Sequence, residues 1–136
     1  MVQPTQIASI EYAAKVLGAT LCVVMGHSKC GAVQAALDSE IAKGPDLGPN
    51  IDSLISLIRP AVLRSIEARQ RTPLPILDLC IQENVYGTAR EIMAKSSLLR
   101  TLASENRFKV VEAVCNLETG KVQFHPEEPV SIRAVV

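Results

Sequence analysis

The sequence predicts an α/β layer fold in which a small mixed sheet is flanked by helices, in one domain over residues 1–136. Three observations predict it. Helical periodicity, a short apolar run, further helical faces and then β-branched segments follow one another along the chain. Apolar residues make up 48% of the chain, enough for a core, and aromatics only 3%, so Val, Ile, Leu and Ala must fill it. No repeat, low-complexity tract or composition shift marks a boundary between domains.

Each element has its own signal. Ile7, Ile10, Ala14 and Leu17 share one helical face, with Thr5 as the expected cap and Gly18 as the stop. Leu21 to Met25 is a continuous apolar run, the pattern of a strand covered on both faces. Residues 31–37 suit a helix of small side chains. Gly44-Pro45 and Gly48-Pro49 mark residues 39–50 as a loop. Ile51, Leu54, Ile55 and Ile58 restart a helix, with Asn50 as its expected cap and Pro60 as a kink or break. Residues 69–73 form a polar exit. Leu77, Ile81, Val85, Thr88 and Ile92 mark a long helix, and residues 97–104 a short one. Residues 108–114 and 122–124, with Gly120 between them, predict a hairpin. From Pro126 the tail carries acidic and proline positions and then an apolar end.

Composition excludes some functions. Lys plus Arg and Asp plus Glu balance at 14 each, which argues against nucleic-acid or anionic-membrane partners. No apolar run approaches the ~18 residues of a membrane span. Residues 1–6 lack the charged and apolar regions of a secretory signal, so the expected location is cytoplasmic. Cys22, Cys30, Cys80 and Cys115 are irregularly spaced and are expected to be free thiols.

The chemistry concentrates in Val23-Val24-Met25-Gly26-His27-Ser28-Lys29-Cys30-Gly31. A strand ends, turns and starts a helix there, with an imidazole and a thiol at the turn. Zinc favours that donor pair, and a catalytic zinc site takes three protein ligands with one position open. Two other readings compete. Gly26 and Ser28 fit a Gly-x-Ser-x-Gly hydrolase elbow, with Asp78 and His125 as conceivable triad partners, although Cys30 stands where the second glycine belongs. Alternatively, His27 and Cys30 are plain core residues at a strand end.

These residues carry a resemblance. Residues 8–13, residues 23–33, Glu83-Asn84-Val85 and Leu117-Glu118-Thr119-Gly120-Lys121-Val122 resemble the β-class carbonic anhydrases, in the family's order and across nearly the whole chain. The resemblance implies a β-carbonic-anhydrase-like three-layer fold and zinc-dependent reversible hydration of carbon dioxide to bicarbonate. It implies a zinc held by two cysteines and one histidine, of which His27 and Cys30 match two. It implies that the Gly31 N–H faces the substrate. It also implies that Tyr12 lines the pocket of a neighbouring subunit, in a dimer or higher homo-oligomer.

The sequence lacks two family elements, one of them an arginine- and asparagine-bearing strand that leads into the first helix. The Cys-x-Asp-x-Arg motif that supplies the first metal cysteine and an aspartate–arginine pair does not occur either. The expectation is therefore a truncated homologue, weak or inactive alone, with the strand at Leu21 to Met25 left as a sheet edge. Cys22 cannot replace the lost ligand, because it lies five residues before His27 at ~3.3 Å per residue. The alternative is a non-catalytic assembly or regulatory subunit that keeps the fold and interface.

Overall fold

A computed structural model describes residues 2–42, 44 and 46–125. The tail from Pro126 lies outside them. The elements are α1 (Pro4–Lys15), β1 (Leu21–His27), α2 (Gly31–Ile41), α3 (Pro49–Ala68), a 3₁₀ turn (Arg69–Arg71), α4 (Ile76–Lys95), α5 (Ser97–Ser104), β2 (Lys109–Cys115) and β3 (Val122–Phe124). The strand order is β1-β2-β3. β1 and β2 are parallel, Leu21 opposite Lys109 through His27 opposite Cys115, and β3 returns antiparallel to β2. The expected mixed sheet and closing hairpin are both present, with Gly120 at φ 69° in the turn.

Two helix starts differ from expectation, for one reason. Proline is favoured at the first helical position, where its missing N–H is not needed. Pro4 therefore opens α1, and Gln3, not Thr5, precedes it; the Gln3 N–H donates to Gln6 Oε1 at 2.8 Å. Likewise Pro49 opens α3, with Gly48 rather than Asn50 at the cap, at φ 82°. Pro60 does not end α3, which runs through it to Ala68. Its ring is exposed, so the carbonyl it leaves unbonded lies on the solvent side of the helix. α5 begins as expected, with Ser96 Oγ accepting from Leu99 N–H at 3.0 Å.

The core has two clusters. Val33, Ala36 and Leu37 of α2 pack with Ile55, Ile58 and Val62 of α3 and with Cys80 and Ile81 of α4. Ile7 and Ala14 of α1 pack with Ile92, Leu99, Leu102 and Phe108, against Cys22, Val24 and Val110 of the sheet. α4 belongs to both. The strand at Leu21 was expected to be covered on both faces, and it is not. Cys22 and Val24 pack inward, whereas Leu21, Val23 and Met25 are 53%, 39% and 55% exposed. Alternation with a period of two splits the run between a packed face and an open one.

Candidate metal centre

β1 delivers His27 to the carboxyl end of the sheet, where open α/β folds place their sites. Two glycines and one strained residue shape the turn. Gly26 is needed for close approach: a Cβ there would meet Val85 Cγ2 at 2.7 Å and Ile81 Cγ2 at 3.1 Å. Lys29 adopts φ 56°, the left-handed region, which reverses the chain between the two donors. Cys30 is then the cap of α2 and Gly31 its first residue. The Gly31 N–H is one of the helix-end donors without an intrahelical partner, and a Cβ on Gly31 would meet nothing within 4 Å. The loop is tied to β2 and its following turn. Ser28 N–H donates to the Cys115 carbonyl at 2.8 Å, Leu117 N–H donates to Ser28 Oγ at 3.0 Å, and Lys29 pairs with Glu118.

His27 Nδ1 lies 3.0 Å from the Ser28 carbonyl oxygen. A carbonyl only accepts, so Nδ1 carries the proton and the neutral ring keeps its lone pair on Nε2, the form a metal ligand requires. His27 and Cys30 line one cavity of about 210 Å³ with Val24, Gly26, Asn84 and Thr88. The expected pair is therefore brought together. The sequence reading gave Asn84 and Thr88 no role at the site. Their spacing of four on α4 was the available signal, and Thr88 Oγ1 donates back to the Asn84 carbonyl at 2.8 Å. Behind them Glu83, 1% exposed, accepts from Arg64 Nε at 3.1 Å. Its Oε1 is buried with no partner among the described residues.

No third donor joins His27 and Cys30 among the described residues. Among the described residues no three His, Cys, Asp or Glu side chains could hold a metal ion together. Cys22 points into the α1 cluster, and burial pushes its thiol pKa up. Cys80 is wholly buried, and burial again raises its thiol pKa. Cys115 faces His27 in the sheet register but belongs to no such group. Two donors do not fit a catalytic zinc centre. Tyr12 stands 58% exposed on α1 and is not among the residues lining the cavity of its own chain.

The hydrolase alternative has a more complicated outcome. Ser28, Asp78 and His125 do line one cavity, of about 450 Å³. No bond makes them a triad: His125 Nε2 is buried without a partner among the described residues, where nucleophile activation needs a serine–histidine hydrogen bond. The His125 ring packs edge-on against Tyr86, centroids 5.6 Å apart, and burial lowers its pKa against the opposing Glu112 carboxylate.

The family model described as carbonic anhydrase matches residues 1–122. The chain belongs to the carbonic anhydrase family. Carbonic anhydrase 2 of Mycobacterium tuberculosis is 33% identical over 115 residues, 85% of this chain and 53% of that protein. A carbonic anhydrase of Mycolicibacterium smegmatis is 26% identical over 118 residues, 87% of this chain and 55% of that one. The chain thus spans about half the length of the curated carbonic anhydrases it matches. A tetrameric β-carbonic anhydrase of Sordaria macrospora superposes with a TM-score of 0.72 at 22% identity, over 91% of this chain and 62% of that one. A Coccomyxa β-carbonic anhydrase superposes at 0.68 and 22% identity, over 90% and 54%. These likenesses show the β-carbonic anhydrase fold. No helix among the described residues is long and apolar enough to cross a membrane.

Proposed function

We propose that this chain carries one arm of a β-carbonic anhydrase centre, with His27 Nε2 and Cys30 Sγ as two of the zinc ligands. The reaction of such a centre is the reversible hydration of carbon dioxide to bicarbonate. One observation carries the proposal: His27, with Nδ1 turned to the Ser28 carbonyl, and Cys30 line the same cavity at the start of α2. In this reading the Gly31 N–H donates to an oxygen of the substrate, and Tyr12 serves the pocket of a neighbouring subunit in a homo-oligomer. The setting is a reducing cytoplasm, in keeping with four free cysteines.

Because two donors hold zinc weakly and with loose geometry, the chain alone is weak or inactive as an enzyme. The incomplete donor set equally favours a second reading, an assembly or regulatory subunit that keeps the fold. Stopped-flow carbon dioxide hydration on zinc-supplemented protein, with metal content measured on the same sample, tests the first reading. Turnover at the rate of an intact carbonic anhydrase would refute the expected weakness, and protein that takes up no zinc would refute the ligand pair. Co-purification with a longer homologue, without hydration by this chain, supports the second.

A further inference from the structure

The cavity of about 450 Å³ that makes no triad is larger than the one at His27 and Cys30 and holds neither of them. Small-molecule sites are clefts of about 300–1,000 Å³ in which a few polar groups converge on an apolar wall. Here Ile81 of α4 and Val114 of β2 supply apolar wall. Gln82 of α4 and Gln123 of β3 also line the space, and their side-chain amides make no hydrogen bond among the described residues. Asn116 Oδ1 accepts from the N–H groups of Glu118 and Thr119 at 2.9 and 3.1 Å, which leaves its amide N–H groups to donate. His125 adds the buried Nε2 that lacks a partner among the described residues.

Two opposite charges line the same space from different elements. Asp78 stands in the first turn of α4, and Lys121 directly precedes β3. Neither has an ion-pair partner among the described residues, and they do not pair with each other. A simple anion drawn to Lys121 would also face the Asp78 carboxylate, and a simple cation drawn to Asp78 would face the Lys121 ammonium. Each would leave one like charge opposed, which selects against it. We propose that this cavity binds a small zwitterion, with an ammonium group against Asp78, a carboxylate against Lys121, and the amides of Gln82, Asn116 and Gln123 on the atoms between.

Both charged side chains are exposed, so water screens them and the expected dissociation constant is on the order of 1 mM. Ser28 ties the ligand to the loop between His27 and Cys30. Its Oγ accepts from the Leu117 N–H at 3.0 Å, and its own hydrogen has no acceptor among the described residues. A ligand carboxylate or hydroxyl that takes that hydrogen is therefore registered in the loop. The inference rests on the cavity alone and not on the zinc reading.

Titration of the full chain with straight-chain ω-amino acids, from glycine to 6-aminohexanoate, tests it by backbone amide NMR shifts. The series is a ruler for the gap between the two charges. One intermediate length is expected to bind best, with shifts at Ser28, Gln82 and Gln123. The alkylamine and the alkanoate of that length are expected to bind at least tenfold more weakly. Asp78→Asn should remove the preference for the amino acid over the alkanoate, and Lys121→Gln its preference over the alkylamine. These are ratios within one variant, so a change in stability does not produce them, and Lys121→Gln at its exposed position keeps the test open should Asp78→Asn disturb the start of α4. No binding by any member up to 10-fold above the expected constant would overturn the proposal. So would affinity that climbs steadily with chain length, singly charged compounds that bind as well, shifts confined to other parts of the chain, or preferences that survive both substitutions. None of these results depends on zinc or on turnover.

Discussion

Replacing Gly26 with alanine probes the contact that sets the height of α4 above β1. The new Cβ would sit 2.7 Å from Val85 Cγ2 and 3.1 Å from Ile81 Cγ2, against an ordinary carbon–carbon separation of about 3.5–4.0 Å. Both neighbours are buried, at 4% and 3% exposure, and both are β-branched, so neither rotates away freely. α4 must lift by several tenths of an ångström. Overpacking of this kind costs about 1–3 kcal/mol, and we take about 2. Unfolding entropy of about 2.1 cal/mol/K per residue gives about 0.29 kcal/mol/K for a chain of this length. The expected fall in Tm is therefore about 7 °C by calorimetry. Val85→Ala alone should cost about 2 kcal/mol for its lost methyl groups. Gly26→Ala with Val85→Ala should cost far less than the sum, because the added methyl occupies the space vacated. A Tm for Gly26→Ala within about 1 °C of native, or strict additivity in the double variant, would refute the close-packing account.

Other expectations follow from the same contacts. Arg64→Ala leaves the Glu83 carboxylate buried without its partner and should destabilise the chain by about 2 kcal/mol, below the full buried-pair figure because Arg64 is partly solvated. Adding Glu83→Leu should recover part of that loss in urea denaturation. The His125 pKa is lowered in the folded state, so the unfolded chain binds the extra proton first as pH falls below about 6.5. Stability should therefore drop on acidification through that pH and level off below the folded pKa, and His125→Gln should remove that part of the slope in melts at stepped pH. In thiol titration of the native chain, Cys30 and Cys115 should react before the wholly buried Cys80, which should wait for unfolding. Zinc should slow labelling of Cys30, and His27→Gln should abolish that protection; unchanged labelling with zinc would remove the proposed ligand pair.

Much of the fold was legible because each element carries a strong local signal. α5 and the hairpin around Gly120 fell where expected; Gly120 takes the left-handed backbone of the turn, and Ser96 caps the start of α5. The helix starts at Pro4 and Pro49 were each misplaced by two residues because Thr5 and Asn50 are good caps in isolation, and the prolines override them. The exposed face of β1 was not legible. Val, Leu and Met read as buried whatever covers them, and what covers them is a tertiary fact. At the site, His27 and Cys30 were legible as a motif. The locked tautomer was not, because it depends on the Ser28 carbonyl folding back towards the ring. Asn84 and Thr88 reach the same cavity only through the packing of α4 on Gly26.

Lys29 holds a left-handed backbone without being glycine, at a cost of roughly 1 kcal/mol. His27 lies two residues before it and Cys30 one after, so this position would govern the bite of the proposed chelate without touching anything it would hold. Glycine or asparagine could stand there and keep the hairpin-like bend. Valine or isoleucine would swing the thiol out of reach of the imidazole while leaving every motif letter that matters intact. A variant library scored only at positions 27 and 30 would therefore miss the residue that decides whether they meet.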